Sequence, residues 1–289
     1  MNLRILFRNS LVLESNKILY IDRAFCVVNK PSNFVTQYPA DGHSDAVAEL
    51  VGHTPSLAHP TKLYPVHRLD KGTTGCMVFA RSSAQAEAFS HQLRQRTTQK
   101  IYHALVDSSS SPPLNREFNS GSIHVGMSLK NGRPHVSSSE SAKDTSTDWQ
   151  VVGCAAHQAN ISLIRLQLHT GMKHQLRVHM SDVLQAPIFG DLQHTRMRNS
   201  VAFHGFPIPN DRLFLHSSAI SFHRFRRTGK QKRLNVTVCA PLPQDFLELC
   251  IRVGIKVPPH LVKGGLLLDG QPIREIPDLD GMWVSPENS

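Results

Sequence analysis

No two cysteines of this chain form a CxxC pair, and the five present (Cys26, Cys76, Cys154, Cys239, Cys250) are odd in number and widely spaced. That pattern suggests neither a disulfide framework nor a zinc site, and it fits a reducing compartment. The chain has no P-loop and no G-x-G-x-x-G, so the usual phosphate cradles of nucleotide cofactors are missing. Its 17 histidines include no H-E-x-x-H or comparable cluster. No metal and no cofactor is therefore expected. No apolar run approaches the length of a membrane span, so no membrane partner is expected either. Acids are scarce: 22 Asp plus Glu stand against 32 Lys plus Arg, a formal charge of +10. Such an excess favours a polyanionic partner, most simply nucleic acid, although many basic proteins have none.

The 289 residues suffice for one large domain or two modest ones. The first acid is Glu14. Before it, Leu3, Leu6, Phe7 and Leu11 share a helical face, with Arg4 and Arg8 away from it. This reads either as a mitochondrial presequence or as a short helix packed on the domain. The compartment is accordingly mitochondrial or cytoplasmic, with a lean to the first.

Strands are predicted at Ile18–Asp22, Phe25–Asn29, Gly75–Ala80, Lys100–Val106, Gly121–Val125, Trp149–Cys154, Ile161–Leu168, Phe214–Phe222 and Leu234–Ala240. The clearest helix is Ser82–Arg96, with Ser82 as its cap and Gln85 as the reciprocal partner. Shorter helices are predicted at 46–51, Lys173–Val183 and Asp245–Val253. Segments 108–113 and 137–146 read as Ser-rich loops, 157–160 as a turn, and 192–212 as an irregular insertion. From Lys256 onward, Gly and Pro suggest a peripheral tail. The fold class is α+β: a mixed, mostly antiparallel β-sheet core flanked by helices and loops. The organisation is an N-terminal extension (1–17), a catalytic domain (18–250) and a C-terminal tail (251–289).

Three stretches carry chemistry. His67-Arg68-Leu69-Asp70-Lys71-Gly72-Thr73-Thr74-Gly75 places a carboxylate between two cations, ahead of a Gly turn and an apolar run. Cations hold an acid anionic, as a nucleophile or base requires, but the same string also describes an exposed salt-bridged turn. Lys100-Ile101-Tyr102-His103-Ala104-Leu105-Val106 sets Tyr102 out of phase with Ile101 and Leu105, on the opposite face of its sheet. An aromatic there can stack on a base or simply pack. In Leu168-His169-Thr170-Gly171-Met172-Lys173-His174-Gln175-Leu176-Arg177-Val178-His179, a strand end, a Gly turn and a polar helix start form a candidate anion site. Lys173 and Arg177, four apart, would share a helical face.

Together, in order and content, these stretches resemble the motifs of the RluA-type pseudouridine synthases: H-R-L-D-x-x-T-S-G, K-x-Y-x-A-L-V and T-G-R-x-H-Q-I-R-x-H. The N-K-P ending of the strand at Phe25, Pro187-Ile188-Phe189-Gly190-Asp191 and Leu215-His216-Ser217 also resemble family segments. The wording is similar to small members without an S4 domain, TruC among them. The resemblance runs from about residue 18 to 250 and implies the pseudouridine synthase fold and isomerisation of a uridine within rRNA or tRNA. It implies that Asp70 is the essential carboxylate, acting as nucleophile at C1′ or as the base that opens a glycal route. Tyr102 would stack on the uracil and assist the late C5 deprotonation. Arg177 would pair with Asp70, and Arg68 would enter the RNA stack as the uridine flips out. His67, Thr74, Lys173, His174 and Gln175 complete the implied substrate-binding set.

Two departures stand out. Thr74 replaces the usual Ser, and Met172 replaces the usual Arg, with Lys173 beside it as a substitute cation. The run Arg224, Arg226, Arg227, Lys230, Lys232, Arg233 is a candidate RNA surface or a solvated hairpin turn. An RNA-binding assembly factor on ribosomal subunit precursor proteins, weakly or not catalytic, is the alternative function. A hydrolytic glycosidase would want a second carboxylate, and none accompanies these motifs.

Overall fold

The computed structural model describes residues 17–36, 63–108, 119–156, 160–194, 212–226 and 232–284. The presequence-like segment, the helix at 46–51, most of the loop at 108–113, most of the turn at 157–160 and nearly all of the 192–212 insertion lie outside the described residues.

The elements run β1 (Ile18–Ile21), β2 (Phe25–Lys30), β3 (Tyr64–Pro65), β4 (Thr74–Ala80), α1 (Ser83–Arg94), β5 (Gln99–Asp107), β6 (Ser120–Lys130), β7 (Arg133–Val136), β8 (Lys143–Cys154) and β9 (Ile161–Leu168). There follow α2 (Gln175–Val178), continued as a π-turn (His179–Val183), then β10 (Leu215–Phe225), β11 (Arg233–Cys239), α3 (Gln244–Arg252), α4 (Pro259–Lys263), β12 (Gly265–Leu268), β13 (Gln271–Ile273), β14 (Glu275–Ile276) and β15 (Gly281–Trp283). The main path of the sheet is β14-β15-β1-β2-β4-β10-β5-β9-β8-β6-β7, with β11, β12 and β13 branching from β10. Its pairings are antiparallel except β4 with β10, which run parallel.

The central strands are apolar on both faces because both are covered. Along β2, Cys26 and Val28 enter one core with Met77, Ala104, Leu166, Leu176 and Met180. Phe25 and Val27 enter another with Val78, Phe89 of α1 and Phe222. A third core packs Leu105 and Leu163 against Phe246 and Leu249 of α3. Ser82 caps α1 as its type predicts, accepting the Gln85 N–H at 3.3 Å.

The parallel junction of β4 and β10 holds the Asp70 turn in place. Gly75 has φ +106, and a Cβ there would meet the Ser217 carbonyl at 2.2 Å, so only glycine permits this approach. Beside it, Thr74 is buried and its Oγ1 shares a 2.9 Å hydrogen bond with His216 Nδ1. Thr74 is therefore a clasp between strands, a role its sequence-based assignment did not include. A Thr keeps the hydroxyl that this clasp needs.

Three expectations change. Segment 137–146 is a loop only to residue 142, after which β8 begins and pairs Thr145 with Val125. The tail is not peripheral: β12 pairs with β11, and β15 pairs with β1, setting Tyr20 opposite Trp283. Its strands are two to four residues long, too short for a periodic signal. The basic run is partly committed to protein acids. Arg224 Nε donates to the fully buried Asp22 at 2.7 Å, and Arg226 pairs with Asp278 at 2.8 Å. Those two guanidiniums are not a free RNA surface; Arg227 and Lys230 lie outside the described residues.

Candidate active site

Asp70 sits on the turn between β3 and β4, closed by Thr73 N–H donating to the Asp70 carbonyl at 3.0 Å. The chain after β2 straps this turn down. Lys30 Nζ donates to the carbonyls of Pro31 (2.8 Å), Phe34 (3.0 Å) and Lys71 (3.0 Å). Ser32 and Thr36 hydroxyls donate to the Gly72 and Leu69 carbonyls. Burial pushes the Lys30 ammonium down to about 7, and the charge of Asp70 opposes that fall. Leu69 plugs the core beneath. The backbone around Asp70 is thus fixed on both sides while its carboxylate stays 19% exposed.

A cleft of about 640 Å³ opens over this carboxylate, a volume suited to a nucleoside-sized group. Its wall includes Arg68, Asp70, Arg96, Lys100, Tyr102, Met172, Lys173, His174 and Arg177. Asp70 is the one acid of that wall among the described residues. A smaller cleft of about 400 Å³, between residues 33–36 and Gln193, reaches Asp70 and Arg177 from the other side.

Arg177 and Asp70 meet, but not as principal partners. Arg177 Nη1 lies 3.5 Å from Asp70 Oδ2. Its Nε and Nη2 each donate to Asp191 at 2.7 Å, and Nη2 also donates to Gln193 Oε1 at 3.2 Å. Asp191, fully buried, accepts further N–H groups from Gln193 and His194. Burial works against both ions. The bidentate bond overrides it, raising the guanidinium's pKa and holding the Asp191 carboxyl below the usual range. Asp191 therefore aims Arg177 so that one N–H remains for Asp70. Asp191 closes the Pro187–Asp191 segment, and the sequence alone assigns it no role. The cue was a lone acid after Gly190, whose φ of +77 brings the turn against Arg212.

Tyr102 faces the cleft from β5, 6% exposed. Burial pushes its phenol far above the ordinary range, Asp70 adding to the rise and Ser217 opposing it. It offers a stacking face and an O–H, and not a phenolate. Arg68 is exposed at the cleft edge, as intercalation would require.

The remaining substrate-binding expectations divide. His174, with φ +52, points to Asp70 (Nε2 to Oδ1, 3.9 Å) and shares a 2.9 Å hydrogen bond with His194. Burial pushes it down to about 4 against the pull of Asp70, so it is neutral near pH 7. Gln175 is buried and makes no outward bond. Its Oε1 accepts from Thr170 Oγ1 and Met172 N, and its Nε2 donates to Ser146 O and Thr147 Oγ1. It lines the cleft and is a strut for the Gly turn. His67 lines the cleft, yet its Nε2 accepts the Val78 N–H at 3.0 Å, which ties the motif to β4. The helix begins at Gln175 and not at Lys173, so Lys173 and Arg177 share no helical face. Lys173 reaches the β6–β7 turn, where Nζ donates to Gly132 O at 3.0 Å.

Burial of neutral rings makes the fold acid-sensitive. His67 and His179 are pushed down to about 4, and His103 and His216 to about 3, in each case first by burial. Below the unfolded value of about 6.5 the unfolded chain binds more protons, so stability falls as pH drops toward these folded values. Each ring is expected to cost up to about 2 kcal/mol near pH 5. Thermal melts should show Tm dropping steeply from pH 7 to 5, and a flat profile would contradict these assignments.

A family model described as RNA pseudouridylate synthase matches residues 24–182. Ribosomal large subunit pseudouridine synthase D of Vibrio vulnificus is 31% identical over 241 residues, 80% of this chain and 69% of its own. The tRNA pseudouridine synthase C of Haemophilus influenzae is 29% identical over 252 residues, 82% of this chain and 98% of its own. Among solved structures, human RNA pseudouridylate synthase domain containing 4 has a TM-score of 0.63 at 24% identity, covering 83% of this chain and 94% of that one. This last likeness speaks for the fold.

Proposed function

We propose that this chain, which belongs to the RNA pseudouridylate synthase family, isomerises uridine to pseudouridine within an RNA at the Asp70 cleft. The observation that carries the reading is the placement of Asp70, 3.5 Å from an Arg177 already aimed by Asp191, in one cleft with Tyr102. In the reaction the N1–C1′ bond breaks, the held uracil turns, C5 bonds to C1′, and the C5 proton leaves. Asp70 either attacks C1′ or removes a sugar proton to begin a glycal route. Arg177 keeps a positive charge against it throughout. Tyr102 holds the free uracil by stacking and, as a neutral phenol, offers a hydrogen bond to it. A single acid on the described cleft wall suits an isomerase better than a hydrolase, which would use two.

The transcript is rRNA or tRNA, the two substrate classes that the relatives' names carry. Pseudouridine mapping of all RNA with and without the gene tests this. Loss of discrete sites, restored by wild type but not by Asp70→Asn, is expected. A chain that leaves every pseudouridine in place, yet whose absence blocks ribosomal subunit assembly, would be an assembly factor instead.

A further inference from the structure

Most cations of the cleft wall are accounted for. Arg177 is committed to Asp191, and Lys173 donates to a backbone carbonyl. Arg68 and Arg96 are exposed to water. Lys100 differs. It is half-buried and lines the cleft, and its ammonium has no hydrogen bond or ion pair to any described residue. Burial alone acts on its ammonium, lowering its pKa, and no carboxylate offsets the effect. A sheltered lysine without an anion is a standing cost to the fold. That cost is understandable if the anion arrives with the substrate.

The position of Lys100 specifies the anion. Lys100 and Tyr102 are two apart on β5, so their side chains leave the same face of the sheet. The strand runs from exposed Gln99 through half-buried Lys100 and Ile101 to buried Tyr102, so Lys100 lies on the solvent side of the stacking residue. Its Nζ approaches the Gly171 turn, 3.8 Å from where a Cβ on that glycine would stand. This turn precedes Met172, where the family pattern has a cation. A flipped nucleotide places its base deepest and its phosphate nearer solvent. We infer that Lys100 is a substrate-positioning residue that receives an RNA phosphate beside the flipped uridine, between Tyr102 and the Gly171–Met172 turn.

This inference rests on the RNA synthase reading, and one set of measurements separates the two. The probe is RNA from cells lacking the gene, labelled with tritium at uridine C5. Wild type, Lys100→Met and Lys100→Arg are compared for affinity across salt concentrations and for tritium release at saturating protein. Lys100→Met is expected to fold with an unchanged or higher Tm, because it removes an unpaired charge. Its RNA affinity should fall about 10-fold, its log affinity–log salt slope should shrink by about one, and its saturating rate should stay within about two-fold of wild type. Lys100→Arg should recover most of the affinity. A Lys100→Met chain with unchanged affinity and slope overturns the inference, whether or not its rate falls. A lower Tm with the salt slope intact overturns it in favour of a structural lysine. A wild-type chain that releases no tritium removes the synthase reading itself, while the salt slope still decides whether Lys100 meets phosphate. A wild-type chain that binds no RNA overturns both.

Discussion

Asp70→Asn should reduce pseudouridine formation by about four orders of magnitude or more, while Tm and RNA affinity stay close to wild type. The substitution is nearly isosteric, and none of the bonds that hold the turn uses the carboxylate. Thr36, Lys30 and Ser32 grip the carbonyls of Leu69, Lys71 and Gly72, and Thr73 closes on the Asp70 carbonyl. The amide oxygen can still accept from Arg177, but an amide cannot attack C1′ or take up a sugar proton at neutral pH. Single-turnover assays with saturating protein measure the loss directly. Retention of more than about a hundredth of the rate would move the reacting group elsewhere.

Asp191→Asn should be the most damaging substitution of a residue that never faces the substrate. It removes the charge that overrides burial of Arg177 and leaves the guanidinium with Asp70 as its remaining anion. Breaking a buried, bidentate pair costs about 3–5 kcal/mol. The freed guanidinium then turns toward Asp70 and leaves the geometry that Asp191 imposed. Misplacement of about 1 Å costs about 100-fold in rate. Denaturant melts and single-turnover rates taken well below Tm give both values. If the rate survives while stability falls, the pair is structural and Arg177 needs no aiming. If neither changes, Asp191 does not hold Arg177.

The legible part of the site was its two poles and its stacking face. Asp70, Tyr102 and Arg177 each lie in a string whose local chemistry was readable, and the fold brings all three to one cleft. What joins them was not legible. Asp191 reaches Arg177 through a glycine turn 14 residues downstream, and no periodicity encodes that contact. Thr74 and Gln175 carry polar groups in reactive-looking motifs, yet spend them on His216 and on the Gly turn. A motif position constrained by folding reads the same as one constrained by substrate until burial is known. Lys30 and Lys100 show the converse. Each is one of many lysines in the sequence, and only burial, with three carbonyl acceptors for the first and none for the second, separates them. The sheet was predictable where an apolar or alternating run marks the strand, from the four residues of β1 to the longer β5 and β9. It was missed in β3, in β7 and in β12–β15, whose two to four residues fold only against an existing edge.

Tritium release from uridine C5 is the most direct measure of the chemistry assigned to this cleft, because C5 must lose its hydrogen for pseudouridine to form. Purified wild-type chain, given C5-labelled RNA from cells lacking the gene, is expected to release tritium to water with no added metal or cofactor. Asp70→Asn should bind the same RNA and release none above background. Release by Asp70→Asn at the wild-type rate, or none by wild type on RNA that it binds tightly, would contradict Asp70 as the carboxylate that breaks the glycosidic bond.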